Sequence, residues 1–262
     1  MAFTLGPRAK SAGYRLESFD QIGSTNSEAM SQARAGERGP MWFVTMEQTA
    51  GRGRRQRPWI APRGNLAASV LETLDVAPAT AATLGFAAGL ALDAALRAEA
   101  GLARIGFSLK WPNDVLAGQA KLSGILLEAE AVPGGGLAVA VGMGTNVVAA
   151  PEGTPTPATS LVALGVETTA EKLFAALSDS WAECRGIWDK GRGFGEIRRR
   201  WLALAAGLGQ PVTVHTGNAT VSGIFDTIDD TGCMIVRTSS GDTVPISAGD
   251  VHFGLAASVG AA

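Results

Sequence analysis

The stretch FSLKWPNDVLAGQAKLSGILLEAEAVPGGGLAVAVGMGTN, residues 107–146, decides the fold. It contains three runs of β-forming residues, and turn residues separate these runs at Gly118 and Gln119 and again at 133–136. The pattern predicts three strands that reverse direction twice. Residues 107–146 are therefore expected to form an antiparallel meander.

Helices and further strands are predicted on both sides of this meander. Ser24 and Thr25 offer helix caps, and Glu28 follows Thr25 by three residues in the capping-box arrangement, so a short helix is expected to run from there to Gly36. An alanine-rich apolar segment at 79–99, about six turns long, predicts a largely buried helix. The other predicted elements are strands at 42–47 and 66–71, a loop at 51–64, and helices at 169–188 and 196–206.

The C-terminal part of the chain has a different pattern. Gly207 and Gly209 interrupt the helical periodicity, and short β-rich runs separated by Gly, Asp and Asn turns occupy 211–253. Such spacing is typical of a small barrel. We therefore place a domain boundary near residue 208, with domains at 1–207 and 208–262.

The composition argues against several classes of protein. A net charge of −2 and a pI near 5.8 speak against a surface built throughout to bind nucleic acid. The two cysteines, Cys184 and Cys233, lack the spacing of a metal or redox pair, so neither a disulfide framework nor a zinc site is expected. The N-terminus has no apolar signal region, and no unbroken apolar stretch of roughly 18 residues occurs. We expect a soluble, cytoplasmic protein without membrane contact.

Arginines are concentrated in the segment GRGRRQRPW, residues 51–59, which we call the arginine loop. Four arginines lie within six residues, and such a density of positive charge repels itself unless an anion binds. Guanidinium groups bind phosphate through paired hydrogen bonds, and glycines let backbone N–H groups approach it. The loop therefore suits a polyphosphate. A disordered basic loop and an RNA-binding tract are the alternatives that this segment alone leaves open.

Other polar residues have both a functional and a structural interpretation. The run 110–114 combines polar side chains with a Trp-Pro pair, but Asn and Asp after proline often only close a turn, and a strand lysine such as Lys121 is often only solvated. Ser24, Thr25 and Gln48 are neutral groups whose simplest roles are to cap a helix and to end a strand. The sequence lacks both the full dinucleotide fingerprint and the phosphate-binding loop of the Gly-x-x-x-x-Gly-Lys-Ser/Thr type.

In this order, the segments resemble those of bacterial biotin protein ligases, most closely over about residues 20–150. The resemblance is carried by Ser24-Thr25-Asn26, by Glu47-Gln48-Thr49 leading into the arginine loop, by the run 110–114, by KLSGILLE at 121–128, and by the strand at 142–147. One departure occurs at Gln56 and Pro58, where the usual loop has glycine and a variable residue. This departure bears on how the loop closes.

The resemblance implies an α+β fold. Its larger part would be a mixed β-sheet backed by helices, related to class II synthetase cores, and its smaller part an SH3-like β-barrel, in agreement with domains at 1–207 and 208–262. It also implies that biotin is activated with ATP and Mg²⁺ to biotinyl-5′-AMP and then transferred to a lysine of a biotin carboxyl carrier domain. Because the matching motifs begin at Ser24, no N-terminal DNA-binding domain and no DNA binding are expected. The sequence does not fix whether a homodimer forms.

The resemblance also implies roles for the residues at matching positions. Arg52 and Lys121 would be catalytic, neutralising the biotin carboxylate and the α-phosphate of ATP. The biotin-binding residues would be Ser24, Thr25, Asn26, Gln48, Gly51, Arg52, Gly53, Arg54, Lys121 and Gly124. The residues that bind ATP and the adenylate would be Arg54, Arg55, Arg57, Trp59, Asn113, Asp114, Lys121 and Asn146. Trp59 would cover the adenine, and Asn113, Asp114 and Asn146 would position phosphates or Mg²⁺, but no metal ligand is assigned.

The distribution of histidines limits the chemistry. His215 and His252 both lie in the predicted C-terminal domain, which leaves the larger domain without a histidine base. Attack of a carboxylate on ATP needs no base, because the carboxylate is already ionised at pH 7 and is itself the nucleophile. The base for the second step, transfer to lysine, stays open.

Three alternatives compete with this hypothesis. A lipoate-type ligase would share the architecture and differ in substrate. A nucleic-acid-binding module would use the arginine loop with Trp59 and Trp111 as stacking platforms, and the net acidity of the chain opposes it. A degenerate ligase kept for biotin sensing would have no need of intact Arg52, Lys121 and Asn146.

Overall fold

The computed structural model describes residues 2–101, 105–154, 156–217 and 219–253. In these ranges the helices are α1 (Pro7–Ser11), α2 (Thr25–Arg34), α3 (Pro78–Ala82), α4 (Leu84–Ala100), α5 (Ala170–Trp188) and α6 (Phe194–Leu202). The strands are β1 (Arg15–Phe19), β2 (Met41–Thr45), β3 (Leu66–Leu74), β4 (Phe107–Lys110), β5 (Asp114–Ala117), β6 (Ala120–Ala131), β7 (Leu137–Thr145), β8 (Pro211–His215), β9 (Thr220–Ile228), β10 (Met234–Arg237), β11 (Thr243–Ile246) and β12 (Asp250–Phe253). Of these, α1 and β1 have no counterpart among the sequence-based predictions.

The larger sheet has seven strands in the order β1-β2-β3-β7-β6-β5-β4. β1 and β2 are parallel and the other neighbours are antiparallel, so the predicted mixed sheet is confirmed. The meander has four strands rather than the predicted three. The extra reversal lies at 111–113, where Lys110 pairs with Asp114 across the turn. Pro112 has no N–H to donate to a ladder, and β4 therefore ends before it.

Helices cover both faces of this sheet. Alternate residues of β2 show the two-sided packing, because Trp42 and Val44 join the core beneath α4 and α5 while Phe43 joins a smaller core beneath α2. Trp42 contacts Phe174 and Trp181 of α5 edge-on, with ring centroids 5.4 and 6.3 Å apart. The sheet is thereby fixed between two helical layers.

The helix predicted at 79–99 is confirmed as a buried element, which is divided at Thr83 into α3 and α4. Thr83 Oγ1 donates to Thr80 O at 2.6 Å. Among the described residues, Pro78–Ala100 is the one helical segment long and apolar enough to span a membrane, yet 78% of its apolar window is buried inside the protein. A helix buried in this way is a core element of the fold.

The smaller sheet has five antiparallel strands in the order β11-β10-β9-β8-β12. The barrel prediction is corrected in one respect, because the edge strands β11 and β12 do not pair with each other within the described ranges. The sheet contacts the rest of the chain through Trp111 Nε1, which donates to Gly232 O at 3.1 Å. The domain boundary near residue 208 stays a prediction, and the last residues of the predicted domain, 254–262, lie outside the described ranges.

A buried ion pair joins the larger sheet to α5. Arg185 Nε donates to Glu72 Oε2 at 2.6 Å, and Tyr14 OH donates to Glu72 Oε1 at 3.0 Å. The Glu72 side chain is only 8% exposed. Burial and the Glu72 carboxylate raise the pKa of Tyr14, which therefore acts as a neutral donor. Because little water reaches this buried pair, the charge of Arg185 needs the charge of Glu72 to stabilise it.

We expect Glu72→Gln to lower the free energy of unfolding by about 1–3 kcal/mol, because Arg185 then lacks its counter-charge. Urea denaturation measures this change. Glu183→Gln is the control, since Glu183 pairs with Arg8 at the surface and its loss should cost less than about 1 kcal/mol. Equal losses in the two variants would contradict the prediction.

Candidate active site

A cavity of about 630 Å³ lies where the first turn of α2, the arginine loop, strands β3, β6 and β7, and β12 meet. This volume suits a small-molecule ligand. Fourteen of the sequence-predicted residues line it: Ser24, Thr25, Asn26, Gln48, Arg52, Gly53, Arg54, Arg57, Trp59, Asn113, Asp114, Lys121, Gly124 and Asn146. Gly51 and Arg55 are not among the lining residues.

The first turn of α2 contributes neutral groups to the cavity. Ser24 is the N-cap, and its Oγ accepts a hydrogen bond from Ser27 N at 3.4 Å, so the capping box predicted between Thr25 and Glu28 is wrong. Because the cap lies one residue earlier, Thr25 is free to contact the segment that follows β2. Its N and its Oγ1 both donate to Gln48 Oε1, at 2.8 and 3.1 Å.

Ser69 and Asn26 extend this neutral network into the sheet. Ser69 Oγ lies 2.7 Å from Thr25 Oγ1 and 2.6 Å from Asn26 Oδ1, and Asn26 Nδ2 donates to Leu126 O at 3.1 Å. Ser69, Thr25 and Asn26 are all buried. The sequence-based reasoning missed Ser69, although a serine inside the apolar run of β3 is a signal that could have indicated it.

Glycines leave part of the sheet bare beneath the cavity. A Cβ at Gly142 would lie 2.4 Å from Asn26 Oδ1, and a Cβ at Gly144 would lie 2.6 Å from the Trp59 indole. Gly124 pairs with Gly144 across β6 and β7, and a Cβ there would lie 3.1 Å from Trp59. Trp59 therefore lies directly on the sheet, in space that two missing side chains provide.

Lys121 is held by two neighbours. Its Nζ forms an ion pair with Asp114 Oδ1 at 2.7 Å and lies 5.4 Å from the centroid of the Trp59 ring. Lys110, to which the sequence assigned no role, also lines the cavity. Burial lowers the pKa of Lys110, although the nearby Asp114 opposes that shift. Two lysines and one carboxylate give this part of the cavity a positive excess.

The arginine loop is held by carboxylates from both sheets. Arg52 forms an ion pair with Glu128 at 3.1 Å, and Arg55 and Arg57 both bind Asp250 Oδ2, at 2.7 and 2.8 Å. Burial raises the pKa of Asp250, but the hydrogen bond from Arg57 and the charges of the arginines outweigh it, so this pKa lies below its ordinary value. No local pattern indicated Asp250, which lies 193 residues after Arg57 in the chain.

The departure from the usual loop falls on left-handed backbone. Arg55 and Gln56 have φ angles of +55° and +59°, a region that glycine adopts most easily. Arg54 is anchored nearby, because its NH1 donates to Asn113 Oδ1 at 3.3 Å. The loop is therefore held in shape by its ion pairs and hydrogen bonds, without a glycine at position 56.

Asn146 has an unused acceptor. Its Nδ2 donates to Thr159 O at 3.1 Å, whereas its Oδ1 is buried and has no hydrogen-bond partner among the described residues. Asp114 brings a carboxylate to the same cavity. No group of three or more His, Cys, Asp and Glu side chains in the described ranges could hold a metal ion. One carboxylate and one amide oxygen do fit a Mg²⁺ ion that arrives on phosphates, because Mg²⁺ often takes only one or two carboxylates from the protein.

His252 also lines the cavity. Both histidines belong to the predicted C-terminal domain, so the sequence suggested that the larger domain has no histidine base. The structure corrects this expectation, because His252 reaches the cavity. β12 forms part of the cavity wall, and it carries both Asp250 and His252. The smaller sheet therefore contributes side chains to the site.

Two family models match this chain. The one described as the biotin/lipoate A/B protein ligase family matches residues 18–146, and the one described as the biotin protein ligase C terminal domain matches residues 207–254. A mixed sheet with cationic segments around one cavity, followed by a small antiparallel sheet, thus defines a protein ligase of the biotin and lipoate class.

Named relatives narrow this class. The biotin--[acetyl-CoA-carboxylase] ligase of Paracoccus denitrificans is 40% identical over 88% of this chain and 97% of that protein, and the one of Mycobacterium tuberculosis is 36% identical over 92% and 90%. The biotin protein ligase from Aquifex aeolicus in complex with biotin and ATP has the same fold, with a TM-score of 0.76 and 24% identity over 92% of this chain and 99% of that one. The chain belongs to the biotin protein ligase family, and it is an enzyme that ligates biotin by forming an amide bond.

Membership in this family argues against two of the alternative functions. It excludes a nucleic-acid-binding module as the main function, because the match covers the sheet, the arginine loop and the smaller sheet together. The relatives at 36–40% identity also favour biotin over lipoate as the acid that is ligated.

Proposed function

We propose that the neutral network at α2 binds the ring of biotin, that the cations of the cavity join its carboxylate to ATP, and that a biotin carboxyl carrier domain receives the product. The observation that supports this most is that neutral hydrogen-bonding groups and cations from three separate segments line one cavity. The cationic segments are the arginine loop, Lys110 and Lys121.

The neutral network suits an uncharged ureido ring. In this proposal Ser24, Thr25, Asn26 and Gln48 hydrogen-bond the ring, and Ser69 holds Thr25 and Asn26 in place. A buried polar network of this kind rejects an acid that lacks matching polar groups, because its own groups are then left unpaired. Biotin is therefore preferred to lipoate, whose ring offers no such groups.

The other residues of the site contact the biotin carboxylate and the nucleotide. Arg52 and Lys121 neutralise the biotin carboxylate and the α-phosphate, while Trp59 covers the adenine. Gly53 lines the cavity beside the ligand, and Gly124 keeps the sheet open to it. The triphosphate and then the adenylate are bound by Arg54, Arg55 and Arg57, and phosphates are positioned by Asn113, Asp114 and Asn146.

In the first step, an oxygen of the biotin carboxylate attacks the α-phosphorus of ATP. A carboxyl–phosphate bond forms, and the bond to pyrophosphate breaks with its electron pair leaving on pyrophosphate. The barrier arises from bringing two anions together, so the protein must supply positive charge and alignment. Lys121 and Arg52 supply them at the reacting atoms. Mg²⁺ bound with ATP would add positive charge at the phosphates, next to Asp114 and Asn146.

In the second step, the amine of a carrier lysine attacks the acyl carbon of biotinyl-5′-AMP and AMP leaves. The adenylate is a mixed anhydride that water destroys, and the arginine loop covers it during the interval.

Cys184 and Cys233 are both free thiols, which fits the cytoplasm as the site of the reaction. The expected lack of DNA binding stays a prediction.

We expect biotin with ATP to protect the arginine loop from trypsin, because bound adenylate gives the arginines additional partners. The Arg55 side chain is 42% exposed without ligand, and cleavage of the bond after Arg55 is followed by mass spectrometry. Arg192, 71% exposed, is the control, and its cleavage should not change when ligands are added. Unchanged cleavage at 52–57 would contradict the role of the loop as a lid.

The proposal is tested with the pure protein, labelled biotin, MgATP and a biotin carboxyl carrier domain. Covalent label on the carrier is expected, and label from lipoate is not. Omitting Mg²⁺ should abolish labelling. A protein that binds biotin and yet leaves the carrier unlabelled would be a degenerate ligase, and the proposal would then fail.

A further inference from the structure

The transfer step needs a base that the residues assigned so far do not supply. A lysine ammonium has a pKa of about 10.4, so it is protonated at pH 7 and cannot attack. Two carboxylates line the described cavity, and both are held by cations: Asp114 by Lys121, and Asp250 by Arg55 and Arg57. The ion pairs thus already occupy Asp114 Oδ1 and Asp250 Oδ2.

His252 occupies a position that suits this task. Its side chain lines the cavity and is also exposed, so an entering side chain can reach it. Lys110 from β4, His215 from β8 and Asp250 from β12 are the charged or titratable groups that face it. Lys110 in turn faces Lys121. His252 thus lines the same cavity as Lys121, the lysine that is proposed to neutralise the reacting carboxylate.

The surroundings of His252 favour its unprotonated form. Partial burial, Lys110 and His215 lower the pKa of His252, and Asp250 opposes this shift without cancelling it. A free histidine has a pKa of about 6.5, so the His252 ring, with a pKa below that value, is mostly neutral at pH 7 and can accept a proton. His215 is exposed, hydrogen-bonds Thr220 Oγ1 at 2.9 Å and does not line the cavity.

We infer that His252 accepts the proton of the acceptor lysine in the transfer step, an inference that rests on the proposed function. One N–H proton of the ammonium passes to an imidazole nitrogen, and the amine lone pair attacks the acyl carbon of biotinyl-5′-AMP. The amide C–N bond forms as the C–O bond to phosphate breaks, with its electron pair leaving on AMP. The second N–H proton is taken up by the departing phosphate, and the imidazolium returns its proton to water.

The two half-reactions separate this role from a general loss of activity. Pyrophosphate release with biotin and ATP measures adenylate formation, and single-turnover transfer of preformed adenylate to the carrier domain measures the second step. For His252→Gln we expect the ratio of transfer rate to adenylation rate to fall about 10²-fold at pH 7, the scale of general base catalysis. His215→Gln, the matched control, should change this ratio far less, because His215 adjoins His252 but does not line the cavity. Wild-type transfer should slow as pH falls through the His252 pKa, and the variant should lose that feature.

Hydroxylamine provides a second readout, because its amine is unprotonated at pH 7 and needs no base. Cleavage of the bound adenylate by hydroxylamine should proceed equally in the wild type and in His252→Gln. A parallel loss with hydroxylamine would show that His252 only shapes the cavity and would overturn the inference, as would normal transfer to the carrier by the variant. A wild-type protein that forms no labelled carrier would instead refute the proposed function itself.

Discussion

Lys121→Ala is expected to lower the rate of biotinyl-5′-AMP formation by about 10²- to 10³-fold, the effect of deleting one preorganised electrostatic group. The loss has two parts. The ammonium that offsets two anionic reactants disappears, and the Asp114 carboxylate, now without its partner at 2.7 Å, adds negative charge to the same cavity. Both parts act on the first step because that step brings two anions together.

Pyrophosphate release in the presence of biotin and ATP measures this effect. Lys172→Ala is the matched control, because Lys172 is an exposed lysine in the first turn of α5 and away from the cavity. Its rate should equal that of the wild type. Near-normal pyrophosphate release by Lys121→Ala would remove Lys121 from the catalytic residues.

Gly142→Ala is expected to raise the KM for biotin by about 10²-fold. The added Cβ would lie 2.4 Å from Asn26 Oδ1 and 2.9 Å from Asn26 Cγ, so the amide must move. That movement breaks its contacts with Ser69 and Leu126, at 2.6 and 3.1 Å. Each buried polar group left unpaired costs about 1–3 kcal/mol, and about 1.4 kcal/mol corresponds to a tenfold change in affinity.

Gly186→Ala provides the control for the same chemical change. Gly186 lies within α5, a Cβ there meets nothing within 4 Å, and alanine favours a helix over glycine by up to about 1 kcal/mol. This variant should keep the wild-type KM for biotin and should not be less stable. An unchanged KM in Gly142→Ala, with the folded state intact by circular dichroism, would show that the Asn26 network does not bind the ring.

Local patterns were sufficient for most of the fold. The alternation in β2 and the apolar stretch at 79–99 follow directly from burial, and burial governs the regular elements. The turn at Pro112 was missed because residues on both sides of it are β-forming, and the absent N–H of one proline outweighs them. The cap of α2 was placed one residue late because Ser24 and Thr25 are both good caps and only contact with Gln48 distinguishes them.

The candidate site was harder to infer, because part of it comes from distant segments. Motif positions found the arginine loop and Lys121, whose roles stay predictions. Asp250 and His252 lie in β12, where no spacing rule connects them to arginines some 193 residues earlier. The packing of the smaller sheet against the turn at Trp111 and the ion pairs of Asp250 bring β12 to the cavity.

The ion pairs of Asp250 have a consequence for turnover. Arg55 and Arg57 share this carboxylate before any nucleotide arrives, so an incoming phosphate must displace an internal counterion and binds less tightly than two free guanidinium groups would allow. We expect the same carboxylate to bind both side chains again when AMP departs, which would favour release of AMP before the next cycle. Asp250, a residue of the smaller sheet, thus weakens the binding of phosphate by the arginine loop.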